Sequence, residues 1–127
     1  MSDSARQLVM YVRRNFCPYV GIARHVLDEL GAPYREIDID ADTAARDRVV
    51  QWTGFLSVPT LVVAEAGEVV PYEPPAHLPR GHSPRGIDRG SMITEASDSE
   101  LTRWLEKHDL IPHDTPEIKD ALDRGAD

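Results

Sequence analysis

The sequence predicts an α/β fold: a mixed four-stranded sheet with helices on both faces. Two apolar runs, Leu8-Val9-Met10-Tyr11-Val12 and Leu61-Val62-Val63, read as buried strands. Three segments, opening near Pro18, Thr43 and Ser97, carry apolar residues at helical spacing. The order is strand, helix, strand, helix, hairpin, helix, which packs as one layered sheet with a right-handed first crossover.

Taken in order, Gln7 to Val12 is the first strand, apolar on both sides as a central strand must be. The first helix runs from Pro18 to Leu30, with Ile22, Ala23, Val26, Leu27 and Leu30 as its stripe. Gly31 closes it and Pro33 follows. Tyr34 to Ile39 alternates, Ile37 and Ile39 inward, Glu36 and Asp38 outward, and is a strand with one wet face. Asp38 and Asp40 read as a solvated strand end and Asp42 as a helix N-cap. The second helix spans Thr43 to Thr53, burying Ala45, Val49 and Trp52, with Arg46 and Arg48 outward and Gly54 as its stop. Thr60 to Ala64 is the third strand. Glu65-Ala66-Gly67-Glu68 is a turn, after which Val69 and Val70 open a fourth strand antiparallel to the third.

Residues 71–92 break every period. Five prolines forbid regular structure there, and Gly81, Gly86 and Gly90 loosen the chain. Loops longer than about 12–15 residues are uncommon. The plainer reading is a solvated surface insertion. The functional one is a basic flap, with Arg80, Arg85, Arg89, His77 and His82, over a site that takes an anionic peptide or partner. Met92-Ile93-Thr94 returns as a short edge strand. Ser97-Asp98-Ser99-Glu100 is a capping box opening a helix to His108, with Leu101, Trp104 and Leu105 inward. Residues 112–127 form an extension, where Thr115-Pro116-Glu117 signals a short helix.

The 127 residues are expected to form one domain. Asp plus Glu number 22 against 14 Lys plus Arg, a net charge of -8, which argues against nonspecific binding to nucleic acid or anionic membranes. No apolar run approaches the ~20 residues that span a bilayer. Residues 1–5 lack a basic-then-apolar signal pattern, so the expectation is a cytoplasmic monomer. The single cysteine excludes a disulfide framework and suits a reducing compartment. His77, His82 and Cys17 offer at most three zinc ligands, without a standard spacing, and no metal is expected.

That cysteine, Cys17, falls where a strand ends and a helix begins, followed by Pro18. Most free cysteines are small buried hydrophobes. At a helix N-terminus, however, unpaired N–H groups and the positive end of the dipole stabilise a thiolate, which is the nucleophilic form. Pro18 suits the first turn, where its missing N–H costs nothing. Arg14 can add positive charge at the same place. Ser57-Val58-Pro59-Thr60 precedes a strand, and a proline there is a candidate for a cis peptide bond.

Arg14-Asn15-Phe16-Cys17-Pro18-Tyr19, Thr53-Gly54 and Ser57-Val58-Pro59-Thr60 together resemble the glutaredoxin family, whose fold is thioredoxin-like. The similarity covers residues 7–72 and resumes over 96–110. The family's usual motif is Cys-Pro-Tyr-Cys, or Cys with a non-cysteine fourth residue in monothiol members; here Val20 holds that position. Its last helix begins Gly-Gly-[Cys or Ser]-Asp, matched here by Ser97-Asp98 but with Glu95-Ala96 for the glycines. The resemblance implies a monothiol thiol–disulfide oxidoreductase with Cys17 as nucleophile and glutathione as co-substrate. Its partners would be glutathione and glutathionylated or disulfide protein substrates. It also implies that Arg14, Tyr19, Val58, Pro59, Ser97 and Asp98 hold glutathione, with Arg46 or Arg48 at the glycyl carboxylate. Two other functions stay open: a glutathione-dependent iron–sulfur cluster carrier, and a thioredoxin-fold binding module without turnover.

Overall fold

A computed structural model describes residues 6–14, 17–79 and 81–110. The expected extension at 112–127, and Arg80 of the basic segment, lie outside them. The element order is β1 (Arg6–Val12), α1 (Pro18–Leu30), β2 (Tyr34–Asp38), α2 (Thr43–Thr53), β3 (Thr60–Glu65), β4 (Met92–Thr94) and α3 (Asp98–Lys107). The sheet runs β2-β1-β3-β4. β1 is parallel to β2 and antiparallel to β3, and β3 is antiparallel to β4. This mixed sheet with its helices is the thioredoxin-like arrangement.

Alternate residues of a strand point to opposite faces, yet Leu8 through Val12 are all buried, so both faces of β1 are covered. Trp52 of α2 meets Tyr11 edge-to-face at 5.4 Å, and α1 packs on α3. Helix α3 inserts Leu101, Trp104 and Leu105, spaced three and four apart, all essentially inaccessible. Full burial of each such side chain is worth about 1.5–3 kcal/mol.

The helix ends follow the residues that mark them. Gly31 takes φ 68°, and the N–H groups of Gly31 and Ala32 close onto Asp28 and Leu27. Asp42 accepts the N–H of Ala45 at 3.0 Å. Ser97 and Glu100 form the reciprocal capping box.

Three expectations are corrected. Val69 and Val70 do not open the fourth strand. Pro71, without an N–H, follows them, and the Val69 carbonyl accepts the Tyr11 hydroxyl instead. The open edge of β3 is taken by Met92–Thr94, in the register Thr60↔Thr94 and Val62↔Met92. Arg48 does not point outward: it is half-buried, and its Nε donates to the Tyr11 hydroxyl at 3.3 Å. Nor is the segment between β3 and β4 a solvated appendage. It lacks helix and strand, as its prolines require, but Pro84, Arg89 and Ser91 are buried.

Arg89 is its rivet. Its Nε donates to the Ala76 carbonyl at 2.8 Å and Nη1 to the Trp52 carbonyl at 2.7 Å. Burial pulls its pKa below the usual guanidinium value, since only carbonyls and the Met92 sulfur offset lost hydration. Trp104 Nε1 and the His108 ring hold the Gly90 carbonyl, and Lys107 pairs with Asp88 at 2.7 Å. Arg89→Met, which keeps an apolar stem and removes the donors, is expected to lower the unfolding free energy by about 2–3 kcal/mol. Urea denaturation measures this, and a loss below about 0.5 kcal/mol would show that the segment is held elsewhere.

Candidate active site

Strand β1 ends at Val12 and helix α1 starts at Pro18, so Cys17 becomes the N-cap, with extended φ −142° and ψ 119°. Its carbonyl accepts the N–H groups of Val20 and Gly21 at 3.1 and 3.2 Å. Its side chain makes no cap bond and is turned elsewhere. The sulfur, half-buried, lies 3.5 Å from the carbonyl oxygen of Val58, to which the thiol donates. The peptide bond from Val58 to Pro59 is cis. The Pro59 carbonyl accepts the N–H of Glu95 at 2.9 Å, just past β4. The Thr60 hydroxyl bonds to the Ser57 carbonyl at 2.8 Å and meets the Thr94 hydroxyl at 3.0 Å. The start of α1, the loop entering β3 and the junction from β4 to α3 therefore meet at one end of the strands.

The other named residues are placed as follows. Tyr19 is half-buried on the first turn of α1, and the Arg85 guanidinium carbon lies 5.2 Å from its ring centroid. Val20 is buried, in the core rather than at the rim. Ser97 is spent on capping: its hydroxyl accepts the Glu100 N–H, and its own N–H goes to Glu100 Oε1 at 2.8 Å. Asp98 is exposed at the first position of α3. Arg46 is exposed on α2, and no described contact brings it to Cys17.

Arg14 lines the same groove as Cys17, a hollow of about 530 Å³ that also includes Arg24, Glu36 and Asp38. Its guanidinium turns to Asp38, with Nε 2.8 Å from Oδ2, while Arg13 pairs with Asp40 at 3.2 Å. Asp38 and Asp40 are thus ion-pair partners at an exposed strand end. The hydrogen bond from Arg14 holds the Asp38 carboxyl below the ordinary range, with help from the backbone N–H groups of Asp40 and Ala41. The sequence pointed to Arg85 only as one member of a basic flap, and its contact with Tyr19 had no signal beyond an arginine cluster in an acidic chain. Among the described residues, no three of His, Cys, Asp and Glu gather as metal ligands.

Against known families, residues 8–69 match the model of the family described as Glutaredoxin. This stretch holds both Cys17 and Pro59. Over that stretch the chain is similar to the glutaredoxin family. A glutaredoxin of Vernicia fordii is 29% identical over 58 residues, 43% of this chain and 56% of that protein. A glutaredoxin of Ricinus communis is 28% identical over 58 residues, 43% and 57%. The chain thus spans a little over half the length of the curated relatives it matches. A buckwheat glutaredoxin–glutathione complex superposes with a TM-score of 0.47 at 20% identity, covering 86% of this chain and 84% of that one. The structure of a malarial protein does so at 0.44 and 13%, covering 82% and 97%. The glutaredoxin match ends before Arg85, Glu95 and Ser97.

In Arg14→Ala the midpoint of Asp38 is expected to rise toward about 3.9, the unperturbed value, as an NMR carboxyl titration would show. The folded value lies below the unfolded one, so the pair's stabilisation is present above about pH 4 and fades as pH falls through the lowered value. An unmoved midpoint would assign the shift to the backbone N–H groups alone.

Proposed function

We propose that this chain is a monothiol thiol–disulfide oxidoreductase that acts on glutathione-mixed disulfides through Cys17. The observation that carries the reading is the position of one half-exposed sulfur, at the N-terminus of α1 and 3.5 Å from the carbonyl that precedes cis-Pro59. The match of residues 8–69 to the glutaredoxin family model supports it.

As thiolate, Cys17 attacks the glutathione sulfur of a mixed disulfide. One S–S bond forms at Cys17 as the substrate's own S–S bond breaks, and the departing thiolate takes a proton from solvent. Two electrons thereby pass to the substrate with no outside oxidant or reductant. Cys17 is then freed as thiolate by exchange with a second glutathione, which leaves as glutathione disulfide. Neither step needs a second thiol in the protein, so Val20 is compatible with both.

The roles are those the family resemblance implies. Val58 offers backbone beside the sulfur, where an extended cysteinyl unit pairs with it. Tyr19 and Pro59 wall that position. Arg14 supplies a cation in the groove, oriented by Asp38. The first turn of α3, with Asp98, faces the γ-glutamyl end, where unpaired N–H groups favour a carboxylate. Arg46 is assigned the glycyl carboxylate.

Intact mass after exposure to oxidised glutathione is expected to show one glutathionyl adduct, carried by Cys17. Wild-type protein with glutathione is expected to reduce a glutathione-mixed disulfide, and Cys17→Ser to abolish this. Full activity in that variant, or an unmodified wild-type thiol, would overturn the assignment.

A further inference from the structure

The proline-rich segment delivers one cation to the rim of the thiol site, and its backbone there is fixed. Pro84 is buried. Arg85 bridges to Thr94 in parallel, and the Gly86 N–H donates to the Thr94 carbonyl at 2.7 Å. Gly86, at φ 73°, lies so close to the capping carboxylate of Glu100 that an added Cβ would sit 2.8 Å from its Oε1. Residues 84–86 are therefore seated on the β4–α3 junction, whose Glu95 N–H also holds Pro59.

The side chain of Arg85 is oriented twice. Its guanidinium carbon stands 5.2 Å from the Tyr19 ring centroid, and Nη2 lies 3.6 Å from Glu95 Oε2. Glu95 takes φ 47°, in the left-handed region that a residue with a β-carbon rarely occupies. Glycine would adopt it freely, so what glutamate adds at this position is its carboxylate. The Glu95 side chain is 17% exposed and that of Arg85 59%. The anion is tucked behind and the cation faces out, with most of its donor fork unspent among the described residues.

We propose that Arg85 is a specificity-determining residue that reads a carboxylate on the thiol component exchanged at Cys17. This rests on the disulfide-exchange reading above and goes beyond it, naming a selector outside the family-matched residues. The carboxylate belongs either to glutathione or to an acidic residue beside a cysteine in a protein. In both cases a neutral thiol component lacks what Arg85 recognises.

The test measures, by intact mass, the rate of adduct formation at Cys17 in the full chain with three disulfides. These are oxidised glutathione, the disulfide of an Asp-Cys-Asp peptide, and neutral 2-hydroxyethyl disulfide. In Arg85→Ala the ratio of acidic to neutral rates is expected to fall about fivefold, the scale of an exposed charged contact. Arg85→Lys should recover part of it, and added salt should shrink the ratio in wild type but not in Arg85→Ala. A fall confined to glutathione identifies its own carboxylate; an equal fall with the peptide identifies any carboxylate near the sulfur. An unchanged or increased ratio would overturn the proposal. So would an equal fall in Arg103→Ala, an exposed α3 arginine, because net charge alone would then explain it. Wild-type protein that forms no adduct with any of the three removes the exchange reading itself; adducts with an unmoved ratio remove only the role of Arg85.

Discussion

The site hangs on one hydrogen bond, from the N–H of Glu95 to the carbonyl of Pro59 at 2.9 Å. A sulfur at the tip of a helix has no fixed companion unless the facing loop is tied down. Here the bond ties the loop entering β3 to the junction leaving β4. The buried hydroxyl pair of Thr60 and Thr94, at 3.0 Å, locks the same register one residue away. Such bonds gain strength where water is excluded. Because the register is set, the Val58 carbonyl meets Cys17, and α3 begins just beyond with its capping box. A short edge strand of three residues thereby positions the loop opposite Cys17.

Much of this was legible in the residues. β1 and β3 announced themselves as apolar runs, and α1 and α2 were bounded by Gly31 and Gly54 and capped or opened by Pro18 and Asp42. Those are local effects, decided within a turn or two of chain. The meeting of Cys17 with Pro59 was legible only through family resemblance, since 42 positions separate them and periodicity carries no distance information. The fourth strand was misplaced for a related reason. Val69-Val70 and Met92-Ile93-Thr94 have the same strand character, and which of them pairs with β3 depends on contacts outside either. The Tyr11 hydroxyl captures the Val69 carbonyl, and Arg89 with Trp104 folds the intervening chain back onto the sheet.

The proline-rich segment shows why composition misled. Prolines and glycines exclude helix and strand, and a segment without either reads as solvated. Exclusion of regular ladders does not exclude burial, provided the backbone groups find partners elsewhere. Here Arg89 Nε takes the Ala76 carbonyl, Ser91 the Glu73 carbonyl and Trp104 the Gly90 carbonyl, while Gly86 donates to Thr94. Side chains of the segment itself, one side chain of α3 and a backbone bond to β4 do the work that a ladder would do, and no window of sequence holds them all.

Charge around the thiol obeys the same non-local logic. The chain is acidic overall, yet Cys17 shares a groove with Arg13, Arg14 and Arg24. Each of these is matched by a carboxylate on or just after β2: Asp40, Asp38 and Glu36, the last bridged through two nitrogens of Arg24 at 2.7 and 2.9 Å. That row is nearly neutral at any distance beyond its own length. Beside Tyr19, Arg85 and Glu95 form a pair of unequal exposure, so the cation meets solvent far more than the anion does. With screening over about 8 Å at physiological ionic strength, a charge placed beside Cys17 senses these nearest groups far more than the distant surplus of carboxylates. The field around Cys17 is therefore set by which member of each pair faces outward, and net charge is a poor guide to it.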